Sequence, residues 1–267
     1  MASVDVALLS LGGLTDGEEA CAAAHASVAA AAGAGAALVC LPQWSFAPYV
    51  AATRDRAGLE LAQRAPAPAW RAALAAAAPA WLAASAYESE GEGVFYLTGR
   101  LAVAGGAEAA CRQRTLDAAH GRYEQLFCSP GHGPDALADA PWGRTGLLVG
   151  SDVRDPRAWE RLARGGARLV VGGVSEDEAG WRRVCAVARG MSAAHGLAVA
   201  LVNRAGEEHG TVFAGGALAL AAGAEELPVG ADGRVEVPLA AAATAGADAD
   251  GAAAAPPAAV EPEEVAA

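Results

Sequence analysis

Residues 145–162 read TGLLVGSDVRDPRAWERL, and this stretch decides the fold class. Thr145–Val149 is a short, mostly apolar run of the kind that forms a buried strand. Asp155 and Pro156 then supply an N-cap and a proline at the first helical position, which opens a helix to about Arg164. Ala167–Val171 follows as another apolar run and predicts a further buried strand.

The same alternation continues on both sides. Toward the amino terminus, Val4–Leu11 and Ala37–Leu41 predict buried strands, the second stopped at Pro42. Between them, Thr15 with Glu18 forms a capping box ahead of a helix through about Ala32. A helical region over Asp55–Ala78 is interrupted by Pro66 and Pro68. Trp81–Tyr87, Val94–Val103 and Ala109–Gln113 read as strands, the last two joined by a turn at Gly105-Gly106. Toward the carboxyl terminus, a long helix over Glu178–His195 stops at Gly196. Leu197–Asn203, Val212–Ala221 and Arg234–Leu239 complete the strands. Strands that alternate with helices and also pair in hairpins imply an α/β sandwich with a mixed sheet, one domain over residues 1–239. From Ala240 to Ala267 the chain is alanine, glycine, proline and acids without an aromatic residue, and this tail is expected to be disordered.

Composition narrows the function. The chain has 267 residues, with 19 basic against 31 acidic side chains and a formal charge of −12. With no basic cluster, nucleic acid is excluded as a partner. No apolar run is long enough to span a bilayer, and MASVDVALLSL lacks the features of a signal peptide, so a cytoplasmic location is expected. Cys21, Cys40, Cys111, Cys128 and Cys185 contain no CxxC pair and read as buried thiols. The histidines never fall at ligand spacing, so no metal is expected. Gly12-Gly13 is no dinucleotide fingerprint, and no cofactor is expected. Every basic residue is arginine, which removes the Walker P-loop, the Schiff-base lysine and the lysine general acid.

Several segments, in order, resemble one known family. Gly35–Tyr49, GAALVCLPQWSFAPY, resembles its apolar strand followed by P-E-x-F-x-x-Y. Cys111–Gly131, CRQRTLDAAHGRYEQLFCSPG, resembles its arginine–lysine strand ending in E-x-x-F-x-x-G. Residues 145–162 resemble G-apolar-C-Y-D-x-R-x-P-E and its helix. Trp181–Gly206 and Phe213-x-Gly215-Gly216 match the later W…RA-x-A…N-x-x-G and F-x-G-x-S blocks. In this collinear order the chain resembles the nitrilase superfamily of carbon–nitrogen hydrolases over about residues 1–239. The resemblance implies an α-β-β-α sandwich. It also implies a cysteine nucleophile, a glutamate base, a lysine that stabilises the oxyanion, and a second glutamate that orients them.

Carried over residue by residue, the chemistry is missing. The base position is Gln43, the lysine position is Gln113, and the cysteine position, set in register by Asp152 and Arg154, is Gly150. The second glutamate survives as Glu124, the one position retained for a catalytic role. Strand alternation turns Ser151 away from the face of Gly150, and Arg114 away from that of Gln113. Cys111 and Cys128 read as packing thiols.

Three readings follow. The leading one is a superfamily member without the thiol-hydrolase triad that binds a small molecule or a protein partner. The second is a repurposed enzyme acting on an amide- or nitrogen-containing small molecule through positioning and acid/base use of Glu124. The third is an active hydrolase with a relocated nucleophile, which no shift of register can provide with a lysine. The resemblance implies a homo-oligomer, or a hetero-oligomer with an active relative. Gln43, Gln113, Glu124 and Gly150 are expected to converge on one polar pocket open to a small ligand.

Overall fold

In the computed structural model, which describes residues 2–91 and 93–239, the alternating runs become two large sheets between two helical layers. The expected disorder of residues 240–267 lies outside the described residues. The first half of the chain gives β1 (Ala2–Leu8), α1 (Gly17–Gly33), β2 (Leu38–Cys40), β3 (Gln63–Arg64), α2 (Pro68–Ala77), β4 (Trp81–Gly91), β5 (Val94–Val103) and β6 (Glu108–Arg112). The second half gives β7 (Ala136–Ala140), β8 (Gly143–Val149), α3 (Pro156–Arg164), β9 (Leu169–Val174), α4 (Glu178–His195) and β10 (Ala198–Asn203). After these come β11 (Ala205–Glu208), β12 (Thr211–Ala214), β13 (Ala217–Leu220), β14 (Glu226–Leu227) and β15 (Arg234–Leu239).

One large sheet runs β15-β1-β2-β4-β5-β6, with β3 beside β4, a second runs β14-β13-β10-β9-β8-β7, and β11 and β12 form a separate two-stranded sheet. Parallel pairs at β1–β2–β4 and β8–β9–β10 are flanked by antiparallel strands, so both large sheets are mixed. Period-two alternation assigns the layers. Val4, Val6, Leu38 and Cys40 of one sheet share a core with Leu147, Val149, Val171 and Ala200 of the other, so these faces meet. The intervening residues Ala7, Val39 and Leu82 pack outward on Val28 of α1 and Trp70 of α2. Leu148, Val170 and Val199 pack outward on Trp159 of α3 and Val184 of α4. The order is therefore α-β-β-α, a mixed α/β fold in a single domain. Among the described residues no helix is long and apolar enough to cross a membrane.

Several local expectations change. Asp16, not Thr15, caps α1, its carboxylate accepting from the Glu18 and Glu19 amides. The region 55–78 breaks into a 3-10 turn at Arg56–Leu61 and α2, whose proline at the first turn starts it at Pro68. Val212–Ala221 is two strands, parted by Gly215 and Gly216 at φ of 68° and 95°. Asp155 caps α3, and Gly196 ends α4 in the left-handed conformation, both as the sequence predicts.

Candidate functional site

Gln43 leaves the carboxyl end of β2, where the chain turns sharply through Trp44 at φ 59°. Serines fasten this turn to β4: the Trp44 amide donates to Ser85 Oγ at 3.0 Å, and the Ser85 amide donates to Ser45 Oγ at 3.0 Å. A buried arginine fastens it from the other sheet. Arg204 donates to the carbonyls of Gln43, Trp44 and Ala47 at 2.9–3.0 Å and pairs with Glu208 through two bonds of 2.7 and 2.9 Å. Glu208 in turn accepts from the amides of Gly13 and Tyr49. Both charges are buried, so each takes its partners from the protein instead of from water.

Gln113 directly follows β6, and its amide continues the ladder to the Leu97 carbonyl. Glu124 opens a single 3-10 turn, Glu124–Leu126. Gly150 directly follows β8 at φ 54° and begins a second 3-10 turn, Gly150–Arg154. Within that turn the Asp152 carboxylate accepts from the amides of Arg114 and Thr115, which ties the end of β8 to the Gln113 segment.

These connections bring Gln43, Gln113, Glu124 and Gly150 together. Gln43 Nε2 donates to Gln113 Oε1 and to Glu124 Oε1, each at 2.8 Å. Gln113 Nε2 donates to Glu124 Oε2 at 2.8 Å and to the Thr115 carbonyl. The Tyr49 hydroxyl, at 3.2 Å, and the Asp117 amide, at 3.0 Å, complete a set of donors around Glu124. A Cβ on Gly150 would lie 2.6 Å from Gln113 Oε1 and 2.7 Å from Gln43 Cδ, and closer still to Gln43 Nε2. Burial pushes the Glu124 pKa above the ordinary carboxylate range, and hydrogen bonds from the Asp117 amide and the two glutamines oppose that rise.

The expected open pocket is not present in this form. Gln43, Gln113 and Glu124 are at most 2% exposed and are hydrogen-bonded to one another, so the cluster is closed to solvent. The physical reason is the amide pair itself, which spans the space beside Gly150 and locks onto the carboxylate. The alternation argument for Ser151 also falls, because the residue lies in the 3-10 turn and not on a strand; its hydroxyl accepts from Arg154 at 2.7 Å. Arg114 turns to the Gly133 carbonyl and Asp135. Burial pushes the Cys111 thiol up to about 12 and the Cys128 thiol well above its ordinary value, opposite to what a nucleophile needs. Among the described residues no group of three or more histidines, cysteines or acids could hold a metal ion.

Sequence reasoning passed over a layer of charge directly outside the cluster, formed by Asp117, Arg122, Arg154 and Glu176. In the sequence Arg154 serves only to mark register, and Glu176 carries no motif.

The model of the family described as carbon–nitrogen hydrolase matches residues 5–224. No curated protein sequence matches the chain. Among solved structures, a carbon–nitrogen hydrolase from Helicobacter pylori G27 is similar at 18% identity and a TM-score of 0.75, covering 88% of this chain and 89% of that one. A cysteine-to-alanine mutant of the Nesterenkonia AN1 amidase, described as from the nitrilase superfamily, is similar at 22% identity and a TM-score of 0.72, covering 90% and 88%. A double mutant of the same amidase in complex with acrylamide is similar to the same extent, at 22% identity and a TM-score of 0.72, covering 90% and 88%. These likenesses are of fold. With the family model matching most of the chain, including the whole cluster around Glu124, the chain belongs to the carbon–nitrogen hydrolase family.

Proposed function

We propose that this chain has lost the thiol-hydrolase chemistry and works as a non-hydrolytic, small-molecule-binding member of its family. One observation carries the reading: the donors around Glu124 already point at it, and the Gln43 and Gln113 amides fill the space that a nucleophile's side chain at Gly150 would take. A general base needs a free lone pair facing the proton it removes. Glu124 instead accepts from two side-chain amides, a phenol and a backbone amide. An acyl-transfer site also needs a fixed positive donor for the oxyanion, and the chain has no lysine to provide one. Gln43 and Gln113 thus act as a polar plug that holds Glu124 in place. The repurposed-enzyme reading, which relies on Glu124 as acid or base, loses its ground for the same reason.

The test is turnover. The purified chain is expected to release no ammonia or amine from a broad panel of amides, nitriles and carbamoyl compounds. A rate that scales with protein across preparations and survives Gln43→Ala would overturn the proposal.

A further inference from the structure

The charge layer over the plugged cluster has the makings of a ligand site. Arg154 Nη2 lies 2.6 Å from Asp117 Oδ1 and donates to Ser151 Oγ, next to Gly150. Asp117 is anchored from behind, since its amide donates to Glu124. Glu176 sits between the two arginines, with Oε2 2.8 Å from Arg122 Nη2 and Oε1 3.6 Å from Arg154 Nη1. Its carboxylate also lies against Gly180 in the first turn of α4, where any Cβ would overlap Oε2. Asp117 already bridges the two guanidiniums, at 3.4 Å from Arg122 and 2.6 Å from Arg154, and their remaining sides, with the positive end of an 18-residue helix and a glycine that leaves room, make a cradle for a second carboxylate.

The chain's own carboxylate fits this cradle poorly. Arg122 Nη2 is buried, yet it makes no aligned hydrogen bond despite the short approach of Glu176. The cause is the tether. The Glu176 backbone is fixed by Asn203 on both its amide and its carbonyl and by the Ala214 amide, so only the side chain can adjust. Arg154 remains 26% exposed and Asp117 16%, so the outer side of the cradle reaches solvent.

The geometry points to a carboxylate-binding site formed by Arg122, Arg154 and the first turn of α4, in which Glu176 is an internal stand-in that a small carboxylate from solution displaces. An untethered carboxylate can align with both guanidinium forks, which Glu176 cannot. This assignment deepens the non-hydrolytic reading and rests on it, because it gives the ligand its chemical class and its seat outside the plug.

The experiment titrates the full chain with sodium acetate, and with sodium chloride and sodium phosphate at matched ionic strength, following heat of binding and melting temperature. The wild type is expected to bind acetate weakly but saturably, ahead of chloride and phosphate. Glu176→Ala empties the cradle and is expected to bind acetate about tenfold tighter, since apparent affinity falls with the fraction of sites already occupied. Adding Arg154→Gln to Glu176→Ala is expected to abolish the gain. Should Glu176→Ala fold poorly, Glu176→Gln keeps the shape, removes the charge and is expected to move affinity in the same direction. An acetate response equal to chloride, a stronger phosphate response, or no gain in either Glu176 variant overturns the assignment. Turnover on the amide panel would overturn the non-hydrolytic reading instead, and the acetate titration would not register it.

Discussion

Replacing Gly150 by alanine tests the plug most directly. Gly150 sits at φ 54°, where an L-residue costs about 1–2 kcal/mol. The new methyl group also falls on the Gln43 amide and on Gln113 Oε1, 2.6 Å away. Moving Gln43 breaks its bond to the Glu124 carboxyl, worth about 1.5–3 kcal/mol where that group carries charge, and its neutral bond to Gln113, worth about 0.5–1.5 kcal/mol. Gly150→Ala is therefore expected to lower the unfolding free energy by about 3–6 kcal/mol, read from urea denaturation at low temperature. Gln43→Ala removes the same two bonds, so the double variant should not cost the sum of the singles. A coupling of about 2–3 kcal/mol in the double-mutant cycle is the expected result. Additivity within about 0.5 kcal/mol would show that Gly150 and Gln43 do not compete for one space, and the argument for a filled nucleophile position would fail.

Three further outcomes follow from other parts of the molecule. Glu208→Gln should cost about 3–5 kcal/mol in urea denaturation, because it leaves Arg204 buried without its charge partner. Alkylation by iodoacetamide at neutral pH should be slow at Cys40, Cys111 and Cys128 in the folded chain and fast in urea, since burial raises all three thiols; rapid stoichiometric labelling of Cys111 by mass spectrometry would contradict this. The folded Glu124 pKa is raised, so its share of stability is present below the unfolded carboxylate pKa, about 4.3, and is lost as pH rises through the folded value. The stability difference, wild type minus Glu124→Gln, should accordingly fall as pH rises through that window, and a rise would refute the assignment.

Much of the fold was legible because period-two apolar runs and capping residues are local signals. Glu178–His195 and Arg234–Leu239 have the bounds the sequence gives them, since a cap, a glycine stop or a clear alternation marks each end. β7 was not foreseen, because Ala136–Ala140, ALADA, has no β-branched or aromatic residue and becomes a strand only through pairing with β8. The meeting of Gln43, Gln113, Glu124 and Gly150 was foreseen through register, but the closed state was not. Closure depends on where two amide groups point, and spacing carries no information about side-chain direction beyond the strand. The charge layer was missed for a similar reason: Arg122 and Glu176 lie on loops far apart in the chain and meet only when both sheets are in place.

The pairing of β1 with β15 sets an order on the making of this protein. Asp5 and Arg234 are hydrogen-bonded across that pair although 229 residues separate them. A ribosome therefore delivers β1 well over two hundred residues before the strand that covers it. At ~5–20 residues per second the wait is on the order of tens of seconds. Throughout it the flank of β1 carrying Val4 and Val6 is an unpaired template for any passing strand. Nascent chains and products that stop short of Arg234 share that exposed flank, however well the rest has packed. The finished core cannot protect that flank, because the strand that covers it is added only after most of the core residues are already in the chain.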